Sequence, residues 1–193
     1  MNKNIVLCGV GGQGTVLASK LIAAAAMKKG LSVMSAETIG MAQRGGSVFS
    51  HVRIGEDVCS PMIARGSADL IVGFEPGEAV RMLPFLKEGG QVVTSSRAIL
   101  PVTASLSGSS YNGEDMVSYL KRHVENLLVV DSEKACGELG SPKALNTLLL
   151  GAAVSSGRLG FTEEDIKDAI AERLPERFHK MNFAALEYMR LHP

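Results

Sequence analysis

Ile5-Val6-Leu7-Cys8-Gly9-Val10-Gly11-Gly12-Gln13-Gly14 is the stretch on which the fold of this chain turns. Four apolar residues in a row suit a strand buried on both faces. The glycines that follow suit a sharp reversal, because glycine accepts backbone conformations closed to other residues. From Thr15 to Lys29 the pattern changes to helical spacing, with Leu17, Leu21 and Ala24 at i, i+4 and i+7. Lys28 and Lys29 sit in the last turn, where positive charge suits the helix dipole, and Gly30 can end the helix. Ser32 to Glu37 reads as a second strand. Strand, glycine turn, helix and strand make a βαβ unit, whose two strands are expected to form a parallel pair.

Beyond this unit the alternation continues. Thr38 to Gly46 reads as a loop, and Val48, Ser50, Val52 and Ile54 read as a strand with one partly exposed face, on which His51 is expected at the surface. Leu70 to Gly73 is a buried strand. Pro76 opens a helix carrying Ala79, Val80, Leu83 and Leu86, which Pro84 should shorten or kink. Gly89-Gly90 leads to a strand over Gln91 to Thr94. Ser105 to Gly113, rich in Ser and Gly, is expected to be the mobile loop. Glu114 to His123 reads as helix and Leu127 to Val130 as strand, ending at Asp131.

The last third is helical. Ser141-Pro142 caps a helix over Lys143 to Ser155, and Thr162 with Asp165 begins another that carries Ile166, Ile170 and Leu174. After Pro175, Phe178, Met181, Ala185 and Tyr188 mark a terminal amphipathic helix. The expected architecture is one α/β domain over residues 1–193. It is a Rossmann-like three-layer fold with a mostly parallel sheet and a helical C-terminal third.

Composition excludes several functions. Of 193 residues, 46% are hydrophobic, enough for a sizeable core. Twenty basic residues balance twenty acidic ones, so no net field draws the chain to nucleic acid or a membrane surface. No apolar run is long enough to span a bilayer and no signal peptide is visible, so the expected location is cytoplasmic. Cys8, Cys59 and Cys136 are far apart and the four histidines form no metal-spaced cluster. A disulfide framework, an iron–sulfur cluster and a metal site are therefore not expected in this chain.

Gly9, Gly11 and Gly14 satisfy the dinucleotide-binding spacing in the right context, with a strand before and a helix after. Free N–H groups at such a helix start favour negative charge, which makes Gly9, Gly11, Gly12, Gln13 and Gly14 the first candidate cofactor site. A plain strand–helix corner is the simpler reading, though four glycines exceed what a corner needs. One alternative is an autonomous NAD(P)-binding oxidoreductase or sensor, in which Glu37 would hold the ribose hydroxyls. No clear proton-transfer motif accompanies it. An interaction module that kept only the fold is a third reading.

The glycine turn, together with the loop Ala42-Gln43-Arg44-Gly45-Gly46-Ser47, resembles the gamma-type domain of 2-oxoacid:ferredoxin oxidoreductases. The loop is most similar to that of the small beta subunit of indolepyruvate ferredoxin oxidoreductase. Ala68-Asp69-Leu70 and the run Ala144-Leu145-Asn146 to Leu150-Gly151-Ala152 extend the resemblance over nearly the whole chain. It implies oxidative decarboxylation of a 2-oxoacid, an aryl pyruvate in the indolepyruvate type, with coenzyme A as co-substrate taking the acyl group. It also implies that thiamine diphosphate and iron–sulfur clusters reside on a larger partner subunit, which passes electrons to ferredoxin. This chain would hold no cofactor alone, supply no catalytic residue and help to shape the active site.

Within that resemblance Gln43, Arg44, Gly45 and Gly46 become a second candidate site, for an anion of substrate or cofactor. The loop follows the second strand and should lie beside the glycine turn at the carboxyl edge of the sheet. A solvated arginine is the simpler reading of Arg44. Glu75 reads as a possible crevice residue and Asn146 as a polar contact of its helix.

Overall fold

The ladder that starts at Lys3 organises the rest of the molecule. A computed structural model describes residues 1–38, 46–56, 58–100 and 111–192. In strand β1 (Lys3–Val10), Ile5 and Leu7 face one core while Val6 and Cys8 face another, and all four are fully buried. The continuous apolar run is what burial on both faces requires. Around β1 lie β2 (Val33–Glu37), β3 (Ser47–Ile54), β4 (Ala68–Gly73), β5 (Leu86–Ser95) and β6 (Asn126–Val130), in the order β2-β3-β1-β4-β5-β6. Strands β1, β4, β5 and β6 are mutually parallel, and β3 is antiparallel to both of its neighbours.

This corrects the expected parallel pair. Strand β2 does run in the same direction as β1, but β3 lies between them. The connection from β2 to β3 is short, so β3 folds straight back and takes the place beside β2. Its other edge then pairs with β1 over eight residues, from Lys3 opposite Ile54 to Val10 opposite Ser47.

Helices cover the sheet unevenly. On one face α1 (Thr15–Lys28) lies over β2 and β3, and α5 (Leu145–Ser155) lies over β4 to β6. Both are apolar around much of their circumference because both are sandwiched: α6 (Glu163–Arg173) packs on α1, and α7 (His179–Leu191) packs on α5. The α5–α7 contact is backbone-close at Gly151, where a Cβ would lie 2.2 Å from the Leu186 carbonyl oxygen. The short α4 (Ser132–Glu138) joins the same core through Ala135 and Cys136. Sequence reading missed it, although Asp131 caps it by accepting a hydrogen bond from the Lys134 N–H.

Among the described residues the opposite face carries α2 (Pro76–Met82) and α3 (Gly113–His123). Helix α2 ends earlier than expected. Pro84 cannot supply an i→i−4 bond, so Leu83–Phe85 tightens into a 3₁₀ turn and Leu86 already belongs to β5. That strand is longer than Gln91 to Thr94, with a register shift against β4 between Ala68 and Leu70. Under β3 this face is covered by irregular chain rather than a helix. Arg53 donates to the Ser60 carbonyl at 2.9 Å, and the Ile63 N–H donates to His51 Nδ1 at 3.0 Å.

His51 is therefore buried, not a surface residue as expected, between the rings of Phe49 and Phe85. Its Nδ1 accepts, so the proton sits on Nε2, which has no partner among the described residues. Most of 105–113 lies outside the described residues; of its end, Asn112 caps α3 and Gly113 begins it. Among the described residues no helix is long and apolar enough to cross a membrane.

Burial holds the His51 imidazole below its ordinary pKa. The unfolded chain thus takes up a proton, near pH 6.5, that the native one refuses. Native stability should fall as pH drops through about 6.5 and level off below the native pKa. His51→Gln keeps an acceptor for Ile63 and cannot titrate. Urea unfolding between pH 7 and 5 should show a weaker pH slope in this variant, and an unchanged slope would assign the effect elsewhere.

Candidate functional site

At its carboxyl end β1 runs into the glycine turn, and there the crossovers part. Helix α1 leaves β1 over one face, while α2 leaves β4 over the other. Such a switch point opens a crevice beyond the strand ends, where α/β sheets bind ligands. Gln13 holds this crevice in shape. Its Oε1 accepts from the Val10 N–H at 2.7 Å, and its Nε2 donates to the Phe74 carbonyl at 2.9 Å. One side chain thus ties the end of β1 to the end of β4. Gly9 makes room for it, since a Cβ there would lie 2.7 Å from Gln13 Oε1 and 2.8 Å from Phe74 Cβ.

The five candidate residues of the turn divide by task. Gly9 accommodates the brace, Gln13 is the brace, and the Gly11 N–H donates to the Gly46 carbonyl at 2.9 Å. Gly12 and Gly14 have positive φ, 99° and 88°, and both line an open cleft of about 570 Å³ together with Gln13. Gly14 is the N-cap of α1, and neither a side-chain cap nor an acidic residue in the first turn satisfies the helix start. That leaves N–H groups and a positive dipole end for an anion.

Of the second candidate group, Gln43, Arg44 and Gly45 lie outside the described residues. Gly46 is placed, and its contact with Gly11 brings the end of the loop against the glycine turn, as expected. The reason differs from the expected one: the loop is the tip of the β2–β3 hairpin, not a connection between neighbouring parallel strands. Thr38 and Phe49 close the hairpin below it, with the Thr38 N–H donating to the Phe49 carbonyl at 2.9 Å.

The far wall of the cleft comes from the C-terminal third. Leu145, Leu174, Phe178 and Met181, with Leu17 opposite, make it apolar. Arg97 and Lys143 at its margin are exposed, and neither has an ion-pair partner among the described residues. Arg97 is placed by its own N–H, which donates to Ser95 Oγ at 3.0 Å just past β5. Ser141 accepts from the Lys143 N–H at 3.2 Å in a 3₁₀ turn that leads into α5. Asn146 and Asn182 complete the wall. Sequence reading found none of this wall. The available signal was two asparagines, Asn146 and Asn182, on helix faces that also carry Leu149, Ala185 and Leu186, where a buried amide needs a partner or a use.

Behind the turn, on the thinner face, Glu75 is buried and accepts from the Glu78 N–H at 2.9 Å and from the Tyr111 hydroxyl. Burial raises its pKa. Burial also raises the Cys8 thiol, with the neighbouring Glu78 and Glu75 charges adding to it. A thiol so placed is a core group rather than a nucleophile. Cys8 and Cys136 belong to different cores, and no cluster of three or more His, Cys, Asp or Glu among the described residues is placed to hold a metal ion.

Residues 4–190 match the family model described as pyruvate ferredoxin/flavodoxin oxidoreductase. The chain belongs to this family. A similar curated member is indolepyruvate oxidoreductase subunit IorB of Thermococcus kodakarensis, 39% identical over 95% of this chain and 92% of that one. The IorB subunit of Archaeoglobus fulgidus is 37% identical over 97% and 93%. Among solved structures, pyruvate oxidoreductase subunit PORC of Thermotoga maritima superposes with a TM-score of 0.69 at 21% identity, over 97% of this chain and 94% of that one. The gamma subunit of a keto/oxoacid ferredoxin oxidoreductase from Geobacter sulfurreducens gives 0.67 at 22%, over 97% and 93%. These two show that the mixed sheet is a fold shared with such subunits.

The brace in this family member can be tested by itself. Gln13→Ala leaves the Val10 N–H and the Phe74 carbonyl without their partner, and should lower unfolding stability by about 1–3 kcal/mol. Gln13→Glu keeps only the acceptor half and should recover part of the loss. A denaturation midpoint unchanged in both variants would show that Gln13 does not hold the strands together.

Proposed function

We propose that this chain is the small subunit of an indolepyruvate-type 2-oxoacid:ferredoxin oxidoreductase and that its cleft holds the phosphate end of coenzyme A. The observation that carries this reading is the cleft itself. Open N–H groups at the start of α1 and two cations, Arg97 and Lys143, without ion-pair partners among the described residues, suit phosphate. The apolar wall from Leu17 to Met181 suits the adenine or the pantetheine arm. The names of the similar subunits support the reaction class, since they are parts of indolepyruvate and pyruvate oxidoreductases.

The subunit works with a larger partner that carries thiamine diphosphate and the iron–sulfur clusters. The names of the similar proteins, each a subunit of an oxidoreductase, support an assembly with a partner. The partner's groups supply decarboxylation and electron transfer. This chain binds and orients the acyl acceptor. The hairpin tip with Gln43, Arg44, Gly45 and Gly46 adds a second anion contact, a reading supported by the Gly46–Gly11 hydrogen bond that carries the end of the tip to the turn.

The nicotinamide reading loses ground on topology. With β3 inserted, Glu37 ends a strand two spacings from β1, about 9–10 Å away, where a dinucleotide fold would have it adjacent. Its carboxylate accepts from Ser19 Oγ at 2.8 Å instead.

Calorimetric titration of the full chain should show saturable binding of coenzyme A and weak or no binding of NAD and NADP. Nicotinamide binding tighter than about 10 μM, roughly 7 kcal/mol, with none of coenzyme A would overturn the proposal.

For the hairpin tip the assay is turnover of the assembled enzyme. Arg44→Ala should lower kcat/KM about 10- to 100-fold, and Arg44→Lys should recover only part. If both variants assemble normally and keep full oxoacid and coenzyme A kinetics, Arg44 is a solvated loop charge.

A further inference from the structure

Between β3 and β4 the chain recrosses the thinly covered face of the sheet as an irregular strap, residues 58–66, with no helix or strand of its own. Of these residues only Ile63 is buried, while Met62 beside it stands 55% exposed. Two side chains two positions apart on β3, and so on one face of it, hold the strap down. Arg53 donates to the carbonyls of Ser60 at 2.9 Å and Met62 at 3.4 Å, and His51 Nδ1 accepts from the Ile63 N–H at 3.0 Å. Toward its far end the Gly66 N–H donates to the Pro84 carbonyl at 2.9 Å. A segment with so little buried apolar contact opens at low free energy.

His51 is the costly part of this arrangement. It is 1% exposed, with the rings of Phe49 and Phe85 each 5.2 Å away between centroids. A backbone N–H can only donate, so Nδ1 must present its lone pair and the ring proton sits on Nε2. A half-turn of the ring would set a carbon against the Ile63 N–H, which fixes the orientation. Nε2–H then has no acceptor among the described residues. The closed strap thus keeps a buried donor unsatisfied, a cost that water removes on opening. A second proton makes closure worse. The imidazolium donates from both nitrogens and would point one N–H at another.

Other ionisable groups stand on the elements around the ring. Cys8 of β1 shares its core, and Arg65 is exposed on the strap itself. On α2 Glu78 pairs with Arg81 and Glu75 accepts from Tyr111, while Lys87 of β5 pairs with Asp69. Burial is what lowers the His51 pKa.

We propose that the strap opens on its own, ahead of the sheet, and that His51 is its proton-sensitive catch: the neutral ring closes it by accepting from Ile63, and the imidazolium releases it. The device does not depend on what the cleft binds. Protons favour the open state, so the opening equilibrium rises as pH falls through about 6.5. The rise reaches about tenfold at pH 5.5 and levels off below the pKa of the closed ring.

The test is residue-resolved hydrogen exchange of the full chain between pH 7.5 and 5.5, corrected for the intrinsic pH dependence of amide exchange. At pH 7.5 the Ile63 amide should exchange at least about tenfold faster than those of Val6 and Ile71 in the sheet, and low urea should not accelerate it. Its protection should fall about tenfold by pH 5.5 in wild type and stay level in His51→Gln, which keeps an acceptor and cannot titrate. Ile63 exchange as slow as that of Val6 would overturn the independent strap. Protection that ignores pH in wild type, or falls equally in the variant, would overturn the catch. Should the glutamine variant fail to fold, the nitrogen chemical shifts of the wild-type ring decide. A proton on Nε2 at pH 7.5, with Ile63 exchange following the ring's titration, supports the proposal, and a proton on Nδ1 at that pH overturns it.

Discussion

The bridge made by Gln13 is the contact on which the working end of this molecule depends. Two parallel strands, β1 and β4, must part where α1 and α2 leave over opposite faces, and the ladder between them ends there. A single amide spans the gap, accepting a hydrogen bond from the end of β1 and donating one to the end of β4. The glycines then have distinct physical duties: room for the brace at Gly9, left-handed backbone at Gly12 and Gly14, and a donor to the hairpin at Gly11. A turn with this many constraints is more than a corner, and a crevice with exposed N–H groups is its product.

Polar burial is concentrated around that crevice. Asn146, Thr147 and Asn182 form a hydrogen-bonded row between α5 and α7 on one side, and Glu75 with Tyr111 ties the start of α2 on the other. On β3 the buried polar side chains include Ser50 and His51, and charged groups pair at the surface, as where Lys29 meets Asp165 and Lys167 meets Glu187. Exposed pairs of that kind each contribute little. The buried rows cost more to assemble and fix orientation, which is the property a binding wall needs.

Local signals carried much of the fold. The apolar run before Gly9, the helical spacing after Gly14, the proline at the start of α2 and the Thr162–Asp165 capping box all report on neighbours within a few residues, and all correspond to elements found. Strand partnership is not such a signal. Nothing in Val48 to Ile54 states that it pairs with β1, so the antiparallel insertion was invisible, and with it the burial of His51. The site divides the same way. The glycine turn was legible because turn, strand and helix are contiguous. The wall bearing Lys143, Asn146 and Phe178 was not, because only the packing of α5 and α7 brings it there.

The unequal covering of the sheet has a dynamic consequence. Among the described residues one face lies under two tiers of helix, whereas the other has α2, α3 and a stretch of irregular chain held by Arg53 and His51. Protein interiors open in cooperative units whose free energies follow how much apolar contact each unit makes. On that ground the thinly covered layer is expected to open at a lower free energy than the thickly covered one. Leu17, Leu145, Leu174 and Met181 pack on the deep side, so the cleft belongs to it. Transient opening of the shallow layer exposes backbone amides to exchange with solvent while the far wall of the cleft keeps its shape.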